Sequence, residues 1–224
     1  MPTLTLHHLD TSRSHRILWL IEELGLPYDL VTHARNPRTK RAPESLRAIH
    51  PLGKSPVLVV DGVPIAESGA IVEHVVDLAG GALRPAPGTP EHARYRYWLH
   101  YAEGSLMPPL IIKLICGQVK KAPVPFPLNV IPKAIAGQVD KAFTDPELRL
   151  HAAWLERHFA EHAYATGDTF SAADVQLAFP AEGLLTHRAI ASTIPSVRAW
   201  VERLRARPAY ERALARGGPP IGGW

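Results

Sequence analysis

The chain has 224 residues, 46% of them hydrophobic and 21% charged. That length is open to one large domain or two modest ones, and the composition excludes disorder. Lys and Arg number 25 against 21 Asp and Glu, a net charge of +4, which is too small to announce a nucleic-acid partner but compatible with anionic ligands. A lone cysteine, Cys116, excludes a disulfide framework and any Cys-x-x-Cys redox or zinc site. Met1-Pro2-Thr3-Leu4-Thr5-Leu6 has no basic region ahead of a long apolar run, and no stretch approaches the ~20 apolar residues of a membrane span. The expectation is a reduced, soluble, cytoplasmic protein with no membrane partner.

Thr3 to Leu9 reads as a short strand and runs into Asp10-Thr11-Ser12-Arg13, a polar turn rich in helix-capping side chains. Ile17 to Leu24 predicts a helix stopped by Gly25, with Pro27 just beyond. Tyr28 to Thr32 is a second strand, His33 to Pro43 a basic loop punctuated by proline, and Glu44 to Ile49 a short helix. Pro56 to Val60 is a buried strand, Asp61-Gly62 a tight-hairpin signal, and Val63 to Ala66 the strand that answers it. Ser68 opens a helix with Ala70, Ile71, His74, Val75 and Leu78 on one face, ending at Gly80-Gly81. The order is β-α-β-α-β-β-α. A right-handed crossover makes the first two strands parallel, and the hairpin adds an antiparallel pair. This is a thioredoxin-like α/β plan for residues 1–80.

Residues 81–90 form a linker rich in glycine and proline, and residues 91–224 read as all-helical. Glu91 to Leu106 is amphipathic, with Tyr95, Trp98, Leu99 and Ala102 on one face; Pro108-Pro109 bends or breaks it, and Leu110 to Val119 resumes. Pro123 to Pro132 holds four prolines and is expected to be a loop or extended lid. Helices then cover Ile135 to Ala142, Glu147 to Ala160, Ser171 to Leu185 and Ser196 to Arg205, with an irregular tail from Gly217.

Gly53-Lys54-Ser55 looks like the end of a phosphate-binding P-loop, but Ala48 stands where that motif needs glycine. Pro56 and a valine-rich strand follow where it needs a helix. Ser55-Pro56 instead suits a cis peptide bond at the start of an interior strand, which would turn the Ser55 backbone groups toward an extended peptide ligand; a trans proline that merely starts a strand is the alternative. Glu67-Ser68, at a helix N-terminus, combines an anion site with a carboxylate for an ammonium group, the pair of charges of a γ-glutamyl end. Plain N-capping explains the same residues. In Thr11-Ser12-Arg13-Ser14 a hydroxyl at a helix N-terminus could donate to a bound thiolate, with capping again the simpler reading.

Several runs, in order and spacing, resemble glutathione S-transferases. They are His8-Leu9-Asp10-x-Ser12-Arg13, Arg16 to Leu20, Ile49 to Pro56 and Ala66 to Ile71. Tyr101 to Pro109 and Pro123 to Phe126 extend the likeness over nearly the whole chain. The yeast and bacterial Gtt-type branch is the nearest in character. The resemblance implies a two-domain transferase in which glutathione is a co-substrate and no metal or nucleotide cofactor takes part. Lys54 would reach the glycyl carboxylate or nearby backbone, Ser55 would pair with the cysteinyl backbone beside cis Pro56, and Glu67 with Ser68 would hold the γ-glutamyl end. Lys40 and Arg41 are further candidates for the glycyl carboxylate. Ser12 is the first candidate to activate the thiol and Thr11 the second, with Arg13 and Ser14 also able to face the sulfur. No cysteine or tyrosine stands there, which argues against branches that form mixed disulfides through their own thiol. Tyr101, Ser105, Met107 and Pro108 are expected to line a pocket for a small hydrophobic electrophile. The family resemblance also implies a homodimer built on the first long helix of the helical domain.

Phe170-Ser171-Ala172-Ala173-Asp174 is a capping box, with Phe170 and Val175 placed for a hydrophobic staple, and its role would be folding. His158 and His162 share a helical face without a His-Glu-x-x-His order and read as a surface pair. Two other activities stay open on the same site: a glutathione-dependent peroxidase or disulfide reductase, and a module that binds glutathione or hydrophobic ligands without turnover.

Overall fold

The computed structural model describes residues 1–39 and 41–220. Strands β1 (Leu4–Leu9), β2 (Asp29–His33), β3 (Val57–Val60) and β4 (Val63–Ala66) alternate with helices α1 (Ser14–Leu24), α2 (Glu44–Arg47) and α3 (Ser68–Leu78) in the expected order. Helix α1 begins at Ser14 rather than Ile17. Ser12 makes the earlier start possible, because its hydroxyl accepts from Ser14 N at 3.2 Å and its carbonyl from His15 N at 3.3 Å. At the other end Gly25 takes a φ of 61° and donates its N–H to Ile21, ending the helix.

The sheet runs β2-β1-β3-β4. β1 lies parallel to β2 and antiparallel to β3, with Leu6 opposite Leu58, and β3 pairs with β4 so that Val57 faces Ala66. This register brings the end of β1, the start of β3 and the end of β4 to one end of the sheet. The segments adjoining that end carry Thr11, Ser12, Ser55, Glu67 and Ser68. An all-helical domain follows this thioredoxin-like one.

That second domain contains α4 (Pro90–Tyr101), α5 (Met107–Lys120), α6 (Val130–Val139), α7 (Asp145–Glu161), α8 (Ala172–Leu185), α9 (Arg188–Ala191), α10 (Pro195–Arg205) and α11 (Pro208–Gly217). Pro108 and Pro109 do not break the helix. A π-helical turn at Ala102–Leu106 joins α4 to α5 and places the prolines in the first turn of α5, where the widened hydrogen bonding tolerates their missing N–H groups. A second π-helical turn, Asp140–Thr144, does the same ahead of Pro146 in α7. The proline-rich loop is also shorter than expected, because α6 starts at Val130 and holds Pro132 in its first turn.

Helices α9 and α11 were not expected. α11 runs back across the molecule and packs along α1, with Tyr210 set edge-on to Trp19 at 5.1 Å. The segment before α4 is tied down by Leu83 O, which accepts from Ala172 N at 2.9 Å, and by an ion pair between Arg84 and Asp77. Helix α8 is buried on every face from Ala172 to Leu184, the signature of a central core helix. Ser171 and Asp174 form the expected capping box, and Phe170 and Val175 are both buried beside it. His158 is not on the surface: its ring lies 4.7 Å from that of Trp98, because Trp98, Trp154 and Phe159 close over that face of α7. Among the described residues, no helix is long and apolar enough to cross a membrane.

Candidate active site

Ser12 sits just beyond the end of β1 with 7% of its surface exposed. Its Oγ lies 3.5 Å from the Oγ of Ser55, and the Ser55–Pro56 bond is cis. The antiparallel pairing of β1 with β3 makes this approach, since His7 and Val57 are partners just before each chain leaves the sheet. Gly53 turns back with a φ of 56° and donates to His50 O at 2.8 Å, and β3 follows. No helix starts after Lys54-Ser55, in agreement with rejection of a P-loop.

Behind Ser12 the polar groups are linked inward. Ser12 Oγ and Ser14 Oγ are 2.8 Å apart, Ser14 Oγ and His8 Nδ1 are 2.9 Å apart, and His8 Nε2 lies 2.9 Å from the carbonyl of Gly217. Ser14 and His8 are buried. Burial pulls the His8 imidazole below its ordinary pKa, opposed by the Gly217 carbonyl and the Asp10 carboxylate. Burial also pushes the neighbouring His15 down to about 4.

Thr11 adopts a φ of 45° and Glu67 a φ of 73°, both in the region that disfavours side chains. Strain of this kind gathers at functional sites when surrounding contacts hold it. For Thr11 the holder is Arg35, whose guanidinium donates to Asp10 O at 3.1 Å and Thr11 O at 3.2 Å. Glu67 is exposed at the head of α3 while Ser68 next to it is buried. Lys54 is exposed, Pro56 is buried, and Arg41 is exposed on the same basic loop. Lys40 lies outside the described residues. Arg13 reaches the helical domain instead, 3.4 Å from Glu103, which also pairs with the buried Arg16.

The four residues expected around an electrophile do not share one environment. Tyr101 is buried, its hydroxyl 2.7 Å from His151 Nδ1 within the aromatic cluster of α4 and α7. Met107 is buried, whereas Ser105 and Pro108 are exposed along the π-helical turn and α5. Sequence reasoning overlooked Arg35, His8 and Glu103. Arg35 stood out only as one charge in a basic loop; His8 and Glu103 lie in runs that carry the resemblance, but their partners are far away in the chain, so no local pattern gave them a role.

Residues 1–77 match the glutathione S-transferase N-terminal domain and residues 131–208 match the corresponding C-terminal domain. Over 208 residues the chain is 33% identical to glutathione S-transferase 3 of Schizosaccharomyces pombe, covering 92% of this chain and 84% of that one. It is 30% identical over 230 residues to glutathione S-transferase 1 of Saccharomyces cerevisiae, covering 97% and 98%. A crystal structure of a glutathione S-transferase from Actinobacillus pleuropneumoniae superimposes with a TM-score of 0.75 at 30% identity, covering 96% of this chain and 92% of that one.

Proposed function

Because the chain belongs to the glutathione S-transferase family, we propose that it conjugates glutathione, as a thiolate activated by Ser12, to small hydrophobic electrophiles. The observation that carries this reading is the 3.5 Å approach of Ser12 Oγ to Ser55 Oγ. A hydroxyl at the start of α1 thereby stands beside the backbone assigned to the cysteinyl residue, where its thiol would lie. Glu67 and Ser68 take the γ-glutamyl end and Lys54 the glycyl end, with residues 1–80 holding glutathione and residues 91–224 the electrophile. Similarity to the two yeast transferases supports placing the chain in the Gtt-type branch.

The energetics suffice. Lowering a thiol pKa from ~8.5 by about two units needs roughly 2.7 kcal/mol of preference for the charged form. One hydrogen bond to a charged acceptor contributes ~1.5–3 kcal/mol, and the N-terminal end of α1 adds ~0.3–1 kcal/mol. Catalysis then follows from holding an ionised nucleophile next to the electrophile with water excluded. The exposure of Ser105 and Pro108 supports them as the residues of this reading that meet the electrophile, whereas Tyr101 is buried against His151. A cytoplasmic homodimer completes the reading; the exposed Ile111 and Ile115 on one face of α5 support a covered helical surface.

The test is a pH titration of the thiolate absorbance of bound glutathione, alongside conjugation of an activated aryl halide. A lowered thiol pKa that Ser12→Ala restores to the free value, together with turnover in the wild type, is the expected result. Saturable binding without a shift would move the assignment to a binding module. Reduction of peroxides or disulfides without conjugation would favour the other enzymatic reading.

A further inference from the structure

The hydrogen bonds behind Ser12 have a fixed direction. Gly217, the last residue of α11, presents its carbonyl 2.9 Å from His8 Nε2. A carbonyl only accepts, so neutral His8 carries its proton on Nε2 and offers a lone pair at Nδ1. Ser14 Oγ is 2.9 Å from that lone pair and 3.2 Å from Leu9 O, and its single proton takes the shorter bond. Ser14 Oγ also accepts from Leu9 N at 3.1 Å. Toward Ser12 Oγ, 2.8 Å away, it can therefore only accept again. Ser55 Oγ is a poorer acceptor for Ser12 at 3.5 Å. The Ser12 proton thus points inward, and with one lone pair of Ser12 Oγ accepting from Ser14 N the other remains to receive a proton.

That polarity suits receipt of a proton. We propose that His8 terminates a buried proton relay: the glutathione thiol gives its proton to Ser12 Oγ, Ser12 gives its own to Ser14 Oγ, and Ser14 gives its own to His8 Nδ1. One S–H and two O–H bonds break; two O–H bonds and one N–H bond form. No electrons leave the thiol, which becomes thiolate while the imidazole becomes imidazolium. Every link is then reversed, so that His8 donates to Ser14, Ser14 to Ser12, and Ser12 to the thiolate. The inference rests on the assignment of Ser12 to the thiol. His8 touches neither glutathione nor the electrophile and acts on the thiol through Ser14 and Ser12.

The surroundings fit this role. Exposure falls from 7% at Ser12 to 0% at Ser14 and 1% at His8, so the path inward excludes water. Gly217 is needed for the last contact: a Cβ there would stand 2.6 Å from Leu18 Cδ2 and 3.0 Å from His8 Cε1. Burial is the largest influence on His8 and disfavours its imidazolium; the Gly217 carbonyl and then the Asp10 carboxylate beyond β1 favour it, while His33 on β2 and the nearby His15 on α1 oppose it.

The experiment measures two quantities as glutathione binds the full chain near neutral pH: thiolate absorbance and protons released to a dilute indicator. It uses wild type, Ser12→Ala, Ser14→Ala, His8→Gln and Gly217→Ala, with the ¹⁵N resonances of His8 followed in the wild type. Thiolate should form with well under one proton released per site, and His8 should take on imidazolium shifts. Glutamine keeps a donor for Gly217 and an acceptor for Ser14 but binds no proton. We therefore expect His8→Gln to lower the thiolate-to-thiol ratio about tenfold, equivalent to one pKa unit, and its residual thiolate to release a full proton. Gly217→Ala should lower the ratio with His8 still present. Thiolate formation with a full proton released and neutral His8 in the wild type overturns the relay, and needs no variant to fold. If Ser12→Ala abolishes the thiolate in that case, the Ser12 assignment survives alone. Unchanged thiolate in Ser12→Ala, or none in the wild type, overturns both.

Discussion

Arg207, just before α11, grips Glu23 of α1 with two hydrogen bonds, Nε to Oε1 at 2.6 Å and Nη2 to Oε2 at 2.9 Å. Its guanidinium also lies 3.7 Å from the centroid of the Phe170 ring, and Trp19 Nε1 donates to the same carboxylate at 2.8 Å. One arginine therefore joins the thioredoxin-like domain, the last helix and the entry to α8. Glu23 is only 8% exposed and Arg207 29%, so removal of the cation leaves a nearly buried carboxylate without its main partner. Arg207→Ala should lower the unfolding free energy by about 2–3 kcal/mol in a denaturant titration. Arg207→Lys should recover less than half of the loss, because an ammonium cannot make the paired contact or the flat ring contact. Full recovery by lysine would show that charge alone matters.

Asp174 in α8 accepts from Ser171 N, Ser171 Oγ, Ala165 N and Trp200 Nε1 at 2.7 to 3.0 Å. Burial nevertheless pushes its pKa up from 3.8 to about 6, the four donors opposing the shift. The folded state thus holds a proton that the unfolded state has released across the window from 3.8 to about 6. Stability from this group is fully present below that window and falls as pH rises through it. The difference in unfolding free energy between wild type and Asp174→Asn should shrink from pH 4 to pH 7 in roughly that window. Asp174→Ala, which orphans buried donors, should cost about 3 kcal/mol or more. A pH-independent difference from the asparagine variant would contradict the raised pKa.

The sheet and α1 to α3 were legible because alternation, Asp61-Gly62, Gly25 and Gly80-Gly81 are local signals, each acting within a few residues. The continuous path from α4 to α5 was not. Pro108-Pro109 removes two donors, and only the π-helical turn before them shows how the helix absorbs the loss. Helix α11 carries correct end signals, Pro208 at its start and Gly218 beyond its end. Its buried face of Ala209, Tyr210 and Ala213 is too small to stand out without α1 beneath it. The hydroxyls around Ser12 could be gathered from strand order alone. Their proton directions could not, since these depend on Gly217, which meets His8 across 209 residues of chain.

Thr11 is a β-branched residue held at a φ of 45°, and its backbone carbonyl, not its hydroxyl, makes the contact with Arg35. Glycine reaches this conformation without the Cβ clash and keeps the carbonyl. Thr11→Gly should therefore raise stability by about 1 kcal/mol while leaving the thiolate of bound glutathione unchanged. Loss of thiolate in this variant, with Ser12 intact, would transfer the activating role to Thr11.

The two domains meet at Arg16 and Glu103. Arg16 is 2% exposed, pairs with Glu103 Oε1 from the π-helical turn, and lies 4.9 Å from the centroid of Phe179 on α8. Burial pulls its pKa down and the Glu103 carboxylate pulls it up. Among the described residues its Nε and Nη2 have no hydrogen-bond partner, and Glu103 is the acceptor that compensates the buried cation. Glu103 itself is 32% exposed, which tempers the loss expected for a fully buried pair. Glu103→Ala should cost about 2–3 kcal/mol in unfolding free energy. The double replacement Arg16→Met with Glu103→Leu should restore most of it, because no charge then remains to be desolvated. Near-wild-type stability in Glu103→Ala would mean that Arg16 turns to Glu182, the other carboxylate whose charge it feels. Glu103→Ala combined with Glu182→Gln would then show the loss that the single change conceals.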